Sequence, residues 1–466
     1  MSKHPPPTLD RSMKMMGVLL ITLSLITPAS SVFIIAPGVV QQAGTGAIIS
    51  FAAAALLGFA TALVYAELSS AYPLTGGEYA IVGHVLGPFW GFVTLGVNLI
   101  TLVFMYAGIS LGLSVYLQPI FPGASPVTVA IANIVLTTLL GILNIRTNAL
   151  ITGAFLVIEM LALATLSYLG FSHAVRPIGE FFASPMHLGT SGALEPAGIG
   201  LIALATSVAM WAYNGYGNAV YLGEETHDAP KQIAHSILWA LAITIIAEAV
   251  PVTAVLMGAP DLKATLASPN MLSDFITGVG GRTLNDLVSL GIALAILNAN
   301  IAMVVMVARQ FFSTGRDKVW TPSINRAMMR IHPKYKSPWV STLLCGALAI
   351  AACALKASVL FVIIGSSLVF IYGILCVAVI AGRRNKTTRH AAYRMPLYPL
   401  APVAALLAMG YIIYADWLDA DTGRPSLYVT VGMCVLSAGY YFFVLRRRGN
   451  WKLHDPHNKL SDISNL

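Results

Sequence analysis

Apolar residues in this chain come in long blocks, not in the alternation of a half-buried strand. Twelve blocks can be marked out, near 14–38, 47–72, 88–118, 126–144, 149–170, 197–222, 234–258, 283–312, 338–356, 358–381, 398–415 and 426–445. Each is close to the length of about 20 residues that crosses a bilayer as a helix. Helix is the expected form for all of them, because a lone segment in lipid must satisfy its own backbone hydrogen bonds. Two blocks are interrupted. The first, "LLITLSLITPASSVFIIAPGVV", contains Pro28 followed by the small residues Ala29, Ser30 and Ser31. Pro28 has no N–H to give, and small side chains let the backbone unwind or another chain come close. The sixth contains "MWAYNGYGNAV", Met210–Val220, with two glycines and two asparagines.

The interruptions lie five blocks apart. Paired breaks in corresponding positions of two halves point to a transporter site built from inverted repeats. The first repeat is then 14–170 and the second 197–381, with 398–445 as an addition, and short tails at 1–13 and 446–466. The two breaks are expected to be unwound and to share one cavity. An unwound stretch exposes N–H and C=O groups that are costly in lipid but useful around a polar ligand. The start of a resumed helix suits a carboxylate, and freed carbonyls suit an ammonium. An amino acid carries both.

Composition supports a membrane protein: 57% of residues are hydrophobic and 10% charged, against about 25% charged in soluble domains. The net charge of +8 might suggest nucleic acid, but its distribution argues against such a partner. With both ends in the cytoplasm, only Arg176, Lys263, Arg282, Lys356 and Arg424 of the 27 Lys and Arg fall on the far side. That is the positive-inside pattern. Lipid is the expected surroundings, and an inner (plasma) membrane with cytoplasmic termini the expected location. The four cysteines lie in apolar blocks without CxxC spacing, and no metal-binding spacing of His appears, so neither a metal nor a cofactor is expected.

Several stretches then resemble one family. "YAELSSAYPLTGGEYA" (Tyr65–Ala80) is similar to the second-helix end and Pro–Gly–Gly loop of the amino acid–polyamine–organocation transporters. "AYNGYG" followed by "EETHDAPKQI", "ARQFFSTGRDKVWTP" and "YRMPLYPLAP" resemble that family's sixth helix and its acidic loop, its eighth-helix end and the approach to its eleventh helix. The resemblance runs through nearly the whole chain. It implies an all-α membrane protein with twelve transmembrane helices in a five-plus-five inverted repeat, the LeuT-like fold, with helices one and six broken. It implies that Ala29, Ser30 and Ser31 hold the substrate carboxylate, that Trp211 gates the site, and that Tyr213, Asn214 and Gly215 lie near the amino group. Tyr106 and Met303 fall where members place side-chain contacts. The family usually has Gly–Ser–Gly at the first break, so the serines here alter that pocket.

Bland readings accompany these. Tyr106 and Met303 also suit helix packing, and Trp211 also suits a membrane-interface belt. Asn298 and Asn300 are read first as glue between helices. Glu67 and Glu78 are expected at the water-facing end of helix two, solvated or locally paired. Glu159 and Glu248 are different, because they lie deep inside apolar blocks. A carboxylate there costs at least about 2.5 kcal/mol and needs a partner, water or a proton. Glu159 falls where some proton-coupled members carry a lysine, so it is the expected coupling residue. The proton is the expected coupling ion, with sodium the other candidate.

The resulting expectation is a secondary transporter of amino acids or related amines, a monomer or homodimer, working by symport or exchange. The alternatives are a polyamine or other organocation carrier and a non-transporting nutrient sensor. An enzyme would need a nucleophile or metal constellation at membrane depth, which the sequence does not offer.

Overall fold

The computed structural model describes residues 11–117, 123–189, 191–355, 357–421, 423–449, 451 and 453. The expected tails at 1–13 and 446–466 lie largely outside these residues. The first apolar block forms α1 (Met15–Ile26), α2 (Pro28–Ser30), a π-helical stretch Ser31–Ile35 and α3 (Ala36–Ala43). Then come α4 (Ala47–Ala71), α5 (Glu78–Leu86), α6 (Pro88–Leu117), α7 (Pro126–Gly141) and α8 (Ile145–Ser172). The short α9 (Ile178–Ala183) precedes a hairpin of β1 (Met186–Leu188) and β2 (Leu194–Pro196). The sixth block is α10 (Ile199–Ala212) and a 3-10 stretch Tyr216–Glu225. It is followed by α11 (Ala229–Gly258), α12 (Leu262–Ala267), α13 (Met271–Gly280) and α14 (Arg282–Arg316). The chain ends with α15 (Pro322–Met328), α16 (Trp339–Ala352), α17 (Ala357–Arg384), α18 (Leu400–Leu418), α19 (Gly423–Tyr440), a π turn Tyr441–Leu445 and α20 (Arg446–Arg448).

Every apolar block therefore contains helix. Among the described residues, eight helical stretches are long and apolar enough to cross a membrane, the first of them within Met15–Ala71. Pro126–Gly141 and Trp339–Ala352 are apolar but shorter. Local chemistry sets several boundaries. Ser125 accepts from the Thr128 amide at 3.2 Å, with Pro126 in the first turn of α7. Asn144 does the same for Thr147 at 2.8 Å and starts α8. Such caps satisfy amides that the helix itself cannot.

The small hairpin was not anticipated. It packs on the end of the first block, where the Met186 amide donates to Thr45 Oγ1 at 2.9 Å. Gly44 makes this approach possible: its φ is +59°, and a Cβ there would lie 1.8 Å from the Met186 carbonyl oxygen.

Candidate functional site

The first break falls two residues before the expected stretch Ala29–Ser31. Thr27 adopts φ 48° and ψ 69°, a left-handed conformation that ends α1. Pro28 explains the position, because a proline disfavours the α region for the residue before it. Ala29, Ser30 and Ser31 are not unwound; they form the first turn of the resumed helix. The expectation of an unwound Ala29–Ser31 is corrected accordingly.

The second break lies where expected. α10 ends at Ala212, and Gly215 has φ 121°, a backbone state that side-chain-bearing residues rarely adopt. The two breaks touch. A Cβ on Gly215 would lie 2.9 Å from Ile26 Cγ1 and 3.3 Å from Ile26 Cα, so the glycine is pressed against the last turn of α1. The Ser31 hydroxyl donates to the Ala212 carbonyl at 3.0 Å, joining the start of one resumed helix to the end of the other half-helix. Ala29, Ser31 and Tyr213 are buried where the two breaks meet.

The expected site residues divide into two groups. Tyr213 is buried with its ring edge-on to Phe51 at 5.8 Å and its hydroxyl 3.4 Å from the Phe51 carbonyl. The Asn214 side-chain oxygen accepts from the Tyr372 hydroxyl on α17. Trp211 is half-buried against Gly365 of the same helix. These residues, with Gly215, surround the second break. Tyr106 turns away: its hydroxyl is engaged by α7, at 2.6 Å from Thr137 Oγ1 and 3.1 Å from the Ile134 carbonyl. Met303 is buried in the apolar core on α14. Asn298 links α14 to α8 through the Thr152 carbonyl at 3.1 Å, the glue role expected of it.

Glu159 is fully buried on α8 and reaches the first break directly. Its Oε1 accepts from the Ala29 amide at 2.8 Å and lies 3.1 Å from the Thr27 hydroxyl oxygen. A carboxylate of the protein itself thus sits on an N–H group at the start of the resumed helix, where partial positive charge favours an anion. Glu159 Oε2 has no hydrogen-bond partner among the described residues.

Sequence reading missed three features. Thr27 is the hinge, and the Thr–Pro pair was its signal. Of the two structural roles expected for Glu67 and Glu78, solvated or locally paired, the structure shows pairing, but mainly with partners distant in sequence. Glu67 is fully buried and paired with Arg383, whose Nε lies 2.7 Å from Oε1. Glu78 is 4% exposed and accepts from Tyr65 at 3.2 Å, Asn98 at 3.1 Å and Tyr221. Arg383 and Tyr221 are far from these acids in sequence, so the pairings were not visible in local spacing.

Near this basic end of the bundle the acids are matched with bases. Glu225 is forked by Arg309, with Nη2–Oε1 at 3.0 Å, and both are buried. Glu224 pairs with Arg316, which also meets Asp317 at 3.0 Å, and Asp317 accepts from Tyr79 at 2.9 Å. Burial works to raise the Glu224 carboxyl, but Arg316 and the Thr75 amide outweigh it and hold the group below its ordinary value.

Comparison with known proteins agrees with this architecture. The family model described as "Amino acid permease" matches residues 14–436. The chain is 24% identical to a branched-chain amino acid permease of Bacillus subtilis, over 89% of this chain and 90% of that protein. It is 22% identical to a methylthioribose transporter of the same organism, over 81% and 83%. It is also 30% identical to a mouse large neutral amino acids transporter small subunit, over 45% and 40%. With a match across most of its length and several apolar helices able to span a bilayer, this integral membrane protein belongs to the amino acid permease family, within the amino acid–polyamine–organocation transporters.

Proposed function

We infer that the chain is a secondary active transporter that moves amino acids or related amines by alternating access. In this reading the twelve apolar blocks are twelve spans in a five-plus-five inverted repeat, with both termini in the cytoplasm. The observation that carries it is the meeting of the two breaks, through Ser31 with Ala212 and Gly215 with Ile26. Two half-helices that close directly on each other form a seam at which a small cargo can enter when they separate. Ser30 and Ser31 would then face the cargo carboxylate, and Tyr213, Asn214 and Gly215 its amino end, under Trp211. Similarity to permeases of branched-chain and large neutral amino acids supports a cargo of that kind.

Glu159 is the coupling residue in this reading. It holds the Ala29 amide while the seam is closed. When cargo takes that amide, Glu159 must be neutralised by a proton or a small cation, which ties ion movement to cargo movement.

One observation favours the second reading, a carrier of polyamines or other organic cations. Glu159 already supplies a carboxylate at the first break, so a cargo lacking its own carboxylate would leave that bond intact. Uptake into proteoliposomes, screened over amino acids and amines under imposed proton or sodium gradients, tests both. Uptake of neutral amino acids that putrescine fails to compete supports the first reading. Uptake of amines alone supports the second. Binding without uptake of any tested solute would indicate a sensor.

A further inference from the structure

The stretch between α14 and α16 is basic and carries no acid. Lys318, Arg326, Arg330, Lys334 and Lys336 lie between Asp317 and Trp339, and the next carboxylate residue after Asp317 is Asp416. Other arginines at this end are answered: Arg309 by Glu225, Arg316 by Glu224 and Asp317, Arg383 by Glu67. Arg326 and Arg330 are exposed and form no ion pair among the described residues. With Met329, Ile331 and Trp339 they line one open cleft of about 470 Å³. The positive-inside pattern accounts for bases on this side of the membrane but not for a cleft built around two of them.

The walls of the cleft are braced. The Trp320 amide donates to Asn325 Oδ1 at 3.0 Å, and Asn325 Nδ2 donates back to the Trp320 carbonyl at 2.9 Å. α15 is pressed onto the end of α14: a Cβ on Gly315 would lie 2.7 Å from Met328 Cβ and 2.9 Å from the Asn325 carbonyl oxygen. On the other side, the Ser341 hydroxyl of α16 donates to the Met328 carbonyl at 2.9 Å. The His332 amide donates to the Ser337 carbonyl at 2.8 Å and fixes the loop between them.

Two arginines without a counter-charge call for an anion, and a guanidinium matches phosphate oxygens two at a time. The apolar lining narrows the choice. Trp339 opens the apolar helix α16, and tryptophan is favoured at a membrane interface. Leu343 and Ala347 follow it at four-residue spacing and are exposed, so one open face of α16 leads away from the cleft. A free phosphate would use the arginines and leave Trp339, Ile331 and this face idle. A phospholipid uses both, with its headgroup in the cleft and an acyl chain along α16.

We propose that the cleft between α15 and α16 is a binding site for the headgroup of an anionic phospholipid. The site goes beyond the transport reading and depends on no cargo. Bound lipid would fasten α15, and with it the end of α14, to α16.

The test uses the full-length protein purified in a neutral detergent. Thermal unfolding is followed at fixed ionic strength while phosphatidylglycerol, phosphatidylcholine or, without lipid, soluble glycerol phosphate is titrated. The variants are Arg330→Gln and the double variant Arg326→Gln with Arg330→Gln. A control, Arg384→Gln with Arg389→Gln, removes the same charge from exposed positions of another basic segment. Phosphatidylglycerol should stabilise wild type more than phosphatidylcholine does. Its apparent affinity should fall about tenfold or more in the Arg326 and Arg330 double variant, less in Arg330→Gln, and stay unchanged in the control. An equal response of wild type to both lipids overturns the proposal, and so does an equal loss in the two double variants. Stabilisation by glycerol phosphate as strong as that by phosphatidylglycerol overturns the lipid in favour of a free anion. If the double variant fails to fold, unchanged phosphatidylglycerol affinity in Arg330→Gln overturns the site by itself.

Discussion

Two groups of buried acids in this protein are treated in opposite ways. At the basic end, Glu67, Glu224 and Glu225 each face an arginine, and Glu78 is surrounded by three neutral donors. On α8 and α11, Glu159 and Glu248 form no ion pair among the described residues, and Glu159 Oε2 has no hydrogen-bond partner there. Apart from Glu224, which is partly exposed, both groups are deeply buried, so burial does not separate them. Compensation does. A charge answered by a fixed partner holds helices together. An acid left unanswered in the membrane needs water, a proton or an incoming cation, and in the transport reading proposed above that is the coupling ion.

The largest expected effect lies on the paired side. Arg309→Ala leaves Glu225 buried without its partner, which costs about 3–5 kcal/mol. Thermal unfolding in detergent should show a severe loss of stability, and Arg309→Met with Glu225→Leu should recover much of it. If the single and double variants were equally unstable, the pair would not be the structural clamp described above.

Next is the seam. Gly215→Leu should abolish uptake. The sequence alone suggests a variant that folds normally, but the close approach to Ile26 and the positive φ change this. Strain of about 1–3 kcal/mol is expected from the backbone alone, so melting temperature should fall as well. Gly215→Ala should show a weaker version of both effects. Near-normal uptake by the Leu variant would show that the seam is not where cargo passes.

A smaller effect is expected from Glu224. Its folded-state pKa is lowered. A carboxyl of this kind adds stability that is fully present above its unfolded value, near 4.5, and is lost as pH falls through the folded value. Wild type should therefore lose more stability than Glu224→Gln on acidification below about pH 4.5. Parallel melting curves would contradict the assignment.

The smallest is Tyr106→Phe. Its hydroxyl is committed to Ile134 and Thr137 of α7, so removal should cost about 1 kcal/mol of stability and leave the cargo KM unchanged. A raised KM would return Tyr106 to the cargo site.

What could be read from the sequence follows the same division. Helices were legible because lipid forces backbone bonds inward, and each apolar block announces this by its length. The breaks were legible from Pro28 and from the glycines around Asn214, since those residues alter the backbone itself. The hinge itself, Thr27, lies two residues before the small residues Ala29–Ser31, because Pro28 restricts the backbone of the residue before it and is itself tolerated in a first helical turn. Partners were not legible. Arg383 is more than 300 residues from Glu67, and Tyr221 more than 100 from Glu78, so no spacing rule connects them. Glu159 and Glu248 stood out as costly residues, but the contact of Glu159 with the first break required the fold.

The contrast between answered and unanswered acids is tested most directly at Glu159, which reaches the first break. Counterflow of cargo and accumulation driven by a pH gradient should be measured side by side in proteoliposomes carrying Glu159→Gln, with a sodium gradient as the parallel arm. A neutral amide can keep the seam working but cannot exchange an ion. Exchange should therefore continue at near wild-type rate while accumulation disappears. Accumulation equal to wild type under the gradient that drives it would contradict the coupling role and leave Glu159 as a structural tie between α8 and the first break.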